Sequence, residues 1–153
     1  MTWLQLKFPP PLVALVFLIH LGLVAYMYPD TIFSFPYQSY IAVIIGLIGL
    51  ALGITASIEF RKIKTAVNPR KPELAQSLVT NGVFKYSRNP MYLGLVIIIC
   101  AAVIFAGNFI TLMHPILLVM YLHFFQIRPE ERILLDKFGE DYLVYMTHTR
   151  RWI

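Results

Sequence analysis

Between Asn89 and Ile127 the chain runs for 39 residues without an Asp, Glu, Lys or Arg. No other feature limits the fold as much. A straight helix of that length would reach about 58 Å at 1.5 Å per residue, nearly twice the ~30 Å hydrocarbon core of a bilayer. The run is therefore expected to fold back on itself, and Gly107-Asn108 near its middle is a turn signal. Two further charge-free runs, Phe8–Pro29 and Thr31–Ile58, each hold room for one crossing helix. The sequence thus predicts an all-α, polytopic membrane protein with four transmembrane helices at about 11–28, 37–58, 90–106 and 109–127. The last two form a tight hairpin. A loop at 59–89 and a tail at 128–153 complete a single domain over 1–153.

Composition agrees. Hydrophobic residues make up 58% of the chain and charged residues only 14%, against ~25% charged in an ordinary soluble domain. So few polar side chains could not cover a soluble surface. Disorder needs low hydrophobicity and is excluded. A disulfide framework is excluded by the single cysteine, Cys100.

The net charge of +5 could suggest nucleic acid, but the placement of the cations decides otherwise. Lys7 precedes the first run. Arg61, Lys62, Lys64, Arg70, Lys71, Lys85 and Arg88 lie between the second and third spans, and Arg128, Arg132, Lys137, Arg150 and Arg151 follow the fourth. The other two connections, Pro29–Pro36 and the Gly107-Asn108 turn, carry no basic residue. The positive-inside rule then puts both termini and the long loop in the cytoplasm, in the inner or plasma membrane if the source is bacterial. The first span is expected to stay uncleaved: it lacks a small-x-small exit and runs into Tyr26-Met27-Tyr28-Pro29.

In the loop, Pro69, Pro72 and Gly82 argue against one continuous helix. The tail reads as a helix. Pro129 suits a first turn, Glu130 and Glu131 suit the positive end of the helix dipole, and Gly139 bends or interrupts it. Leu134, Leu135, Phe138, Tyr142 and Tyr145 give it an apolar face.

Two segments could carry chemistry. The first is Leu78–Gly94, which enters the third span with Pro90 in the first turn and Asn89 at the N-cap. A helix N-terminus beside Arg88 can seat a carboxylate or phosphate, or be merely a capped helix with a snorkelling Arg. The second is Glu130-Glu131, which could receive a cation or only complement the dipole. Of the histidines, His123 is placed to reach such a pocket; His20 and His114 sit within spans, where His114 reads as helix–helix hydrogen bonding, and His148 reads as solvated. Gly46, Gly49 and Gly53 form a small-residue stripe suited to close helix packing, and no metal site is expected.

Taken in order, Arg88-Asn89-Pro90-Met91-Tyr92-Leu93-Gly94, then a span, then Glu130-Glu131, then Phe138-Gly139-Glu140-Asp141-Tyr142, then Arg151-Trp152, resemble the isoprenylcysteine carboxyl methyltransferase family. The related phospholipid N-methyltransferases share this layout. The likeness covers Leu78 to Trp152. It implies an integral membrane methyltransferase that uses S-adenosylmethionine and releases S-adenosylhomocysteine. By that resemblance Leu78, Val79, Phe84, Arg88, Asn89, Pro90, Tyr92, Leu93, Glu130 and Glu131 bind cofactor. Glu130 or Glu131 would take its ammonium, the third span's N-terminus its carboxylate, and Phe84, Tyr86, Tyr92 and Leu93 its adenine. Gly82 and Gly94 would allow close backbone approach.

Two positions depart from the family pattern. The family's His is Asn89 here, and Asn cannot hold a proton at neutral pH. The eukaryotic enzymes place an Arg one turn before the acidic pair, where this chain has Gln126. Arg128 and Arg151 are expected to act at the reacting centre and Gln126 and Arg150 on the substrate. The implied substrate is an amphiphile of the membrane, such as a prenylated molecule with a free carboxylate; a phospholipid amine is the alternative. A four-span transporter or assembly subunit is the rival class, but no span carries the intramembrane carboxylate that proton coupling calls for. An inactive relative is a third.

Overall fold

The computed structural model describes residues 5–62 and 77–153. The expectations for Lys64, Pro69, Arg70, Lys71 and Pro72 lie outside the described residues. Among those described, the chain is helical, with one isolated bridge between Ile32 and Asn108. Three helical stretches are long and apolar enough to cross a membrane: Pro10–Met27, Gln38–Lys62 and Phe109–Phe138. A shorter apolar helix, Pro90–Ala106, has 17 residues, at the lower end of what a bilayer crossing needs.

The first helix, α1 (Pro10–Met27), begins on a proline, whose missing N–H costs nothing in a first turn. Helix α2 (Gln38–Lys62) carries its two cations, Arg61 and Lys62, in its last turn, where the helix dipole favours them. Helix α3 (Pro90–Ala106) starts on Pro90 and stops at Gly107 in the left-handed conformation, φ 59°. The chain then re-enters a long helical run. A 3-10 turn at Phe109–Leu112 leads into α4 (Met113–Tyr121), a π-helical stretch at Leu122–Ile127, and α5 (Arg128–Phe138). Its apolar part ends at Ile127, and Arg128 opens a charged turn. Gly139, φ 51°, breaks the tail as its sequence position implies, and α6 (Glu140–His148) follows.

Helices α2 and α3 make the closest packing in the molecule. A Cβ on Gly94 would sit 2.6 Å from the Gly49 carbonyl oxygen, and one on Gly49 2.8 Å from the Gly94 oxygen. Backbone meets backbone there, which only glycine permits. The glycine stripe is therefore a packing surface at Gly49, while a Cβ on Gly53 would meet nothing within 4 Å. Gly94, assigned above to cofactor approach, is spent on α2. On the other side of α3, Tyr92, Ile99 and Val103 join Val13 and Leu21 of α1, Leu118 of α4, and Leu122 and Ile127 in the main apolar core.

Each end of the bundle has its own fastening. At one end Asn108 is fully buried; its Nδ2 donates to the Tyr28 carbonyl at 2.8 Å and its Oδ1 accepts from Ile110 N. Phe33 N donates to the Gly107 carbonyl, and Gln38 Nε2 to that of Ile104. At the other end Leu6 N donates to the Phe125 carbonyl inside the π-helical stretch, and Arg88 N to that of Arg150. The N-terminal segment and the C-terminal tail thus share one end. His20 and His114 meet at 3.0 Å between α1 and α4, the helix–helix bond expected of His114, which also bonds the Thr111 carbonyl. His148 is exposed and bonds only within its own helix end.

Candidate functional site

The approach segment reaches α3 through a 3-10 turn, Gly82–Lys85, whose first residue needs φ 60°. Val79 and Phe84 are buried there against Ala56 of α2, with Phe60 edge-on to Phe84 at 5.3 Å. Leu78 is half-buried. The segment then passes beneath the tail, and the two are joined by many polar contacts. Tyr145 OH donates to the Phe84 carbonyl at 2.7 Å, and Thr149 Oγ1 to that of Lys85 at 3.4 Å. Tyr86, expected to help enclose an adenine, is instead 79% exposed.

Arg88 is the centre of the joint. Its side chain is 8% exposed. Nη2 donates to Glu131 Oε1 at 2.9 Å, and Nη1 donates to the carbonyls of Thr149 and Met146. Its Nε is buried with no hydrogen-bond partner among the described residues. Arg151 grips the same carboxylate from the other side: Nε lies 3.0 and 3.1 Å from the two Glu131 oxygens and Nη2 2.6 Å from Oε2. Asn89 stands at the start of α3, but its side chain does not cap the helix. Nδ2 donates to the Arg151 carbonyl at 2.9 Å instead, so the capping role expected of it gives way to fastening the tail. Leu93 N closes onto the Asn89 carbonyl. Pro90 has no N–H, so the first turn of α3 presents its remaining donors uncapped.

The neighbouring acid is held differently. Tyr92 OH donates to Glu130 Oε2 at 2.7 Å, and buried Gln126 hydrogen-bonds the same tyrosine. The Tyr92 bond uses Oε2 of Glu130 and leaves Oε1 outside it. Burial pushes the Glu130 carboxyl up to about 7, and the charge of Glu131 adds to this while the Tyr92 bond opposes it. At Glu131 burial also disfavours ionisation, but the hydrogen bonds and charges of Arg151 and Arg88 outweigh it and hold that carboxyl below its usual range. Two adjacent carboxylates therefore differ in kind: one is firmly ionised inside an ion triad, the other readily protonated.

The structure thus brings these residues together in two adjoining sets, Arg88, Asn89, Glu131 and Arg151 in one and Tyr92, Gln126 and Glu130 in the other, joined through the consecutive Glu130 and Glu131, with Pro90 next to Asn89 in the chain. Leu93 is half-buried one residue beyond Tyr92. Val79 and Phe84 form a separate apolar seat on α2 that joins the network only through the Phe84 carbonyl. Arg128 is exposed, 5.9 Å from the Phe124 ring centroid, and Arg150 is exposed with its carbonyl on Arg88 N. His123, half-buried, lies in the electrostatic field of Arg151, Arg128 and Glu131. The sequence reading put Arg150 and Arg151 of the tail in the site but missed the parts of Tyr145 and Thr149, both buried. Tyr145 on the apolar face of α6 was the signal for the first; Thr149, just past the end of α6, gave none.

A set of this kind can hold a zwitterion. The buried, unpartnered Arg88 Nε and the uncapped first turn of α3 offer donors to a carboxylate. Glu130 Oε1 offers an acceptor to an ammonium. An uncharacterised protein of Haemophilus influenzae is 36% identical to this chain over 63 residues, 41% of this chain and 100% of that protein. The family model described as phospholipid methyltransferase matches residues 37–141. That match takes in α2, α3, both glutamates and the start of α6, and on it the chain belongs to the phospholipid methyltransferase family.

Proposed function

We propose that this protein transfers a methyl group from S-adenosylmethionine to an amphiphilic acceptor held in the membrane. One observation carries the reading: a buried guanidinium with a spare donor, an uncapped helix N-terminus and an acid whose Oε1 lies outside the Tyr92 bond belong to two adjoining polar sets. Those three features suit the carboxylate and the ammonium of an amino-acid cofactor. When bound, S-adenosylmethionine supplies an electrophilic methyl on a sulfonium. The chain's own groups then bind and orient. Arg88 Nε and the α3 first turn receive the carboxylate, and Glu130 receives the ammonium. Glu131 is a positioning residue that fixes Arg88 and Arg151. Tyr92 orients Glu130 and Gln126 steadies Tyr92, while Tyr145 and Thr149 keep the tail over the approach segment and exclude water. Rate enhancement comes from alignment in a dry site.

In this reading α1, α2, α3 and the run from Phe109 to Ile127 all cross the bilayer, with both termini cytoplasmic. Charge placement supports it: every described Lys and Arg lies before α1, from the end of α2 to the start of α3, or after Ile127. The site then lies at the cytoplasmic interface, where a soluble cofactor can meet a lipid-borne acceptor.

For the acceptor we propose a carboxylate of isoprenylcysteine type. It is ionised near neutral pH and needs no base, which suits a site with Asn at position 89. Exposed Arg128 and Arg150 can pair with it. A second reading, a phospholipid amine, is favoured by the Tyr92–Glu130 pair, because a carboxyl poised near neutrality can take the proton an ammonium must lose. Calorimetry of the purified protein with S-adenosylmethionine and its demethylated product tests the cofactor. Saturable binding of both is expected, and its absence would overturn methyl transfer. Labelled-methyl transfer to a prenylcysteine analogue against phosphatidylethanolamine then decides the acceptor.

A further inference from the structure

A groove of about 310 Å³ runs between α2 and α3. That is at the lower end of the volumes that hold small ligands. Leu50, Ile54 and Ile58 form one wall and Met91, Leu95 and Ile98 the other. From Gly49 to Arg61 the groove follows about 18 Å of helix at 1.5 Å per residue. It is not part of the polar network. On α3 it uses the face of Met91, Gly94, Leu95 and Ile98, about a quarter-turn from Tyr92.

Two further observations say what kind of molecule fits. Gly53 lines the groove, yet a Cβ there would meet nothing within 4 Å. Unlike Gly49, it is not required by packing, and a mid-helix glycine costs about 1 kcal/mol against alanine. Its effect is to keep the groove open. The second observation is the charge at the mouth. Arg61 lines the groove with no carboxylate partner among the described residues, whereas its neighbour Lys62 pairs with Glu59 at 2.7 Å. Ser57, the other polar side chain there, turns its hydroxyl to the Gly53 carbonyl. An apolar slot within a membrane-crossing helix pair, ending in a guanidinium with no carboxylate partner among the described residues, is complementary to a hydrocarbon chain ending in an anion.

We infer that the α2–α3 groove holds a resident anionic phospholipid, one acyl chain lying between the helices and its phosphate on Arg61. The lipid is a ligand and not the methyl acceptor, since no residue of the polar network lines the groove. The inference does not depend on methyl transfer, and its readout is bound mass.

Native mass spectrometry of the full chain released from detergent, with phosphatidylglycerol or phosphatidylcholine of identical acyl chains, tests it. The wild type should retain phosphatidylglycerol about tenfold better than phosphatidylcholine: both carry the phosphate, but the choline cation of the second is repelled by Arg61. Arg61→Gln should abolish that preference and Arg61→Lys keep part of it. Gly53→Leu should reduce retention of both lipids. If Gly53→Leu fails to fold, Arg61→Gln at the exposed end of α2 still decides. Equal retention of the two lipids by the wild type, or an undiminished preference in Arg61→Gln, would overturn the inference. So would displacement of bound phosphatidylglycerol by a prenylcysteine carboxylate, which would make the groove the acceptor's seat.

Discussion

Glu130 and Glu131 are adjacent in sequence and opposite in behaviour, and their surroundings explain why. Glu131 neutralises two guanidiniums, one of them almost wholly buried. Removing it in Glu131→Ala would leave Arg88 charged and unpaired, and breaking a buried pair in this way costs roughly 3–5 kcal/mol. Thermal unfolding in detergent should show a large loss for Glu131→Ala. Arg151→Ala should lose roughly half as much or less, because Arg151 is partly solvated and Arg88 keeps its carboxylate. Equal losses would mean that Arg88 is not the residue Glu131 serves. Glu130 makes a prediction in pH. The folded state holds its proton up to about 7, while the ordinary value is 4.5. Between those values the folded state binds more protons than the unfolded chain, so stability falls as pH rises through that window. Glu131 works with the opposite sign and only in acid: its contribution is present above the ordinary carboxyl range and fades as pH drops below it. Unfolding midpoints taken from pH 4.5 to 7 should therefore decline in the wild type, and Glu130→Gln should flatten the decline. An unchanged slope in Glu130→Gln would place the titrating group elsewhere.

At the scale of elements, two glycines of the α2–α3 contact should respond in opposite ways to the same change. Gly94→Ala forces a methyl to 2.6 Å from a backbone oxygen of α2. Backbone cannot rotate aside as a side chain can, so the helices must separate, at a cost of about 1–3 kcal/mol for overpacking. Gly53→Ala meets open space and gains up to about 1 kcal/mol in helix propensity. Unfolding midpoints should fall for the first and hold or rise for the second; a fall in both would mean that Gly53 also packs. Elements of this kind were legible from the sequence where local chemistry set them. Pro90 marks a helix start, Gly107 and Gly139 mark breaks, and the small-residue stripe on α2 announces a close neighbour, whereas Pro129, expected in a first turn, lies inside the continuous helical run from Phe109 to Phe138. The partner of that stripe was not legible, so Gly94 was assigned to the cofactor when its missing Cβ serves α2. The π-helical stretch at Leu122–Ile127 was not legible either, since it holds no Pro or Gly; Pro129 beyond it has no N–H to give the Phe125 carbonyl, which accepts from Leu6 N instead.

The whole molecule brings together what lies far apart in the chain, and that step left the weakest trace in the sequence. The motif order located Arg88, Glu130 and Glu131 in one region. Nothing in their spacing said that Arg151 would take the carboxylate, or that Asn89 would hold the tail through the Arg151 carbonyl and not cap its own helix. Such contacts depend on the tail folding back, which is a property of the packed bundle. The two fastened ends, by contrast, continue an argument the charges began. Leu6 meets Phe125 and Arg88 meets Arg150 at one end, while Tyr28, Phe33, Gln38 and Asn108 meet at the other. If both ends lie outside the hydrocarbon core, the chain crosses an even number of times. Single-cysteine variants in a Cys100→Ser background can check this in a bacterial inner membrane. Lys7→Cys, Ser34→Cys and Thr147→Cys are all at exposed positions. A membrane-impermeant maleimide should label Ser34→Cys on intact cells, and should label Lys7→Cys and Thr147→Cys only after the membrane is opened. Labelling of positions 7 and 147 from opposite sides would require an odd number of crossings. It would also separate the N-terminal segment from the tail, and with them the two fastenings that hold the candidate site together.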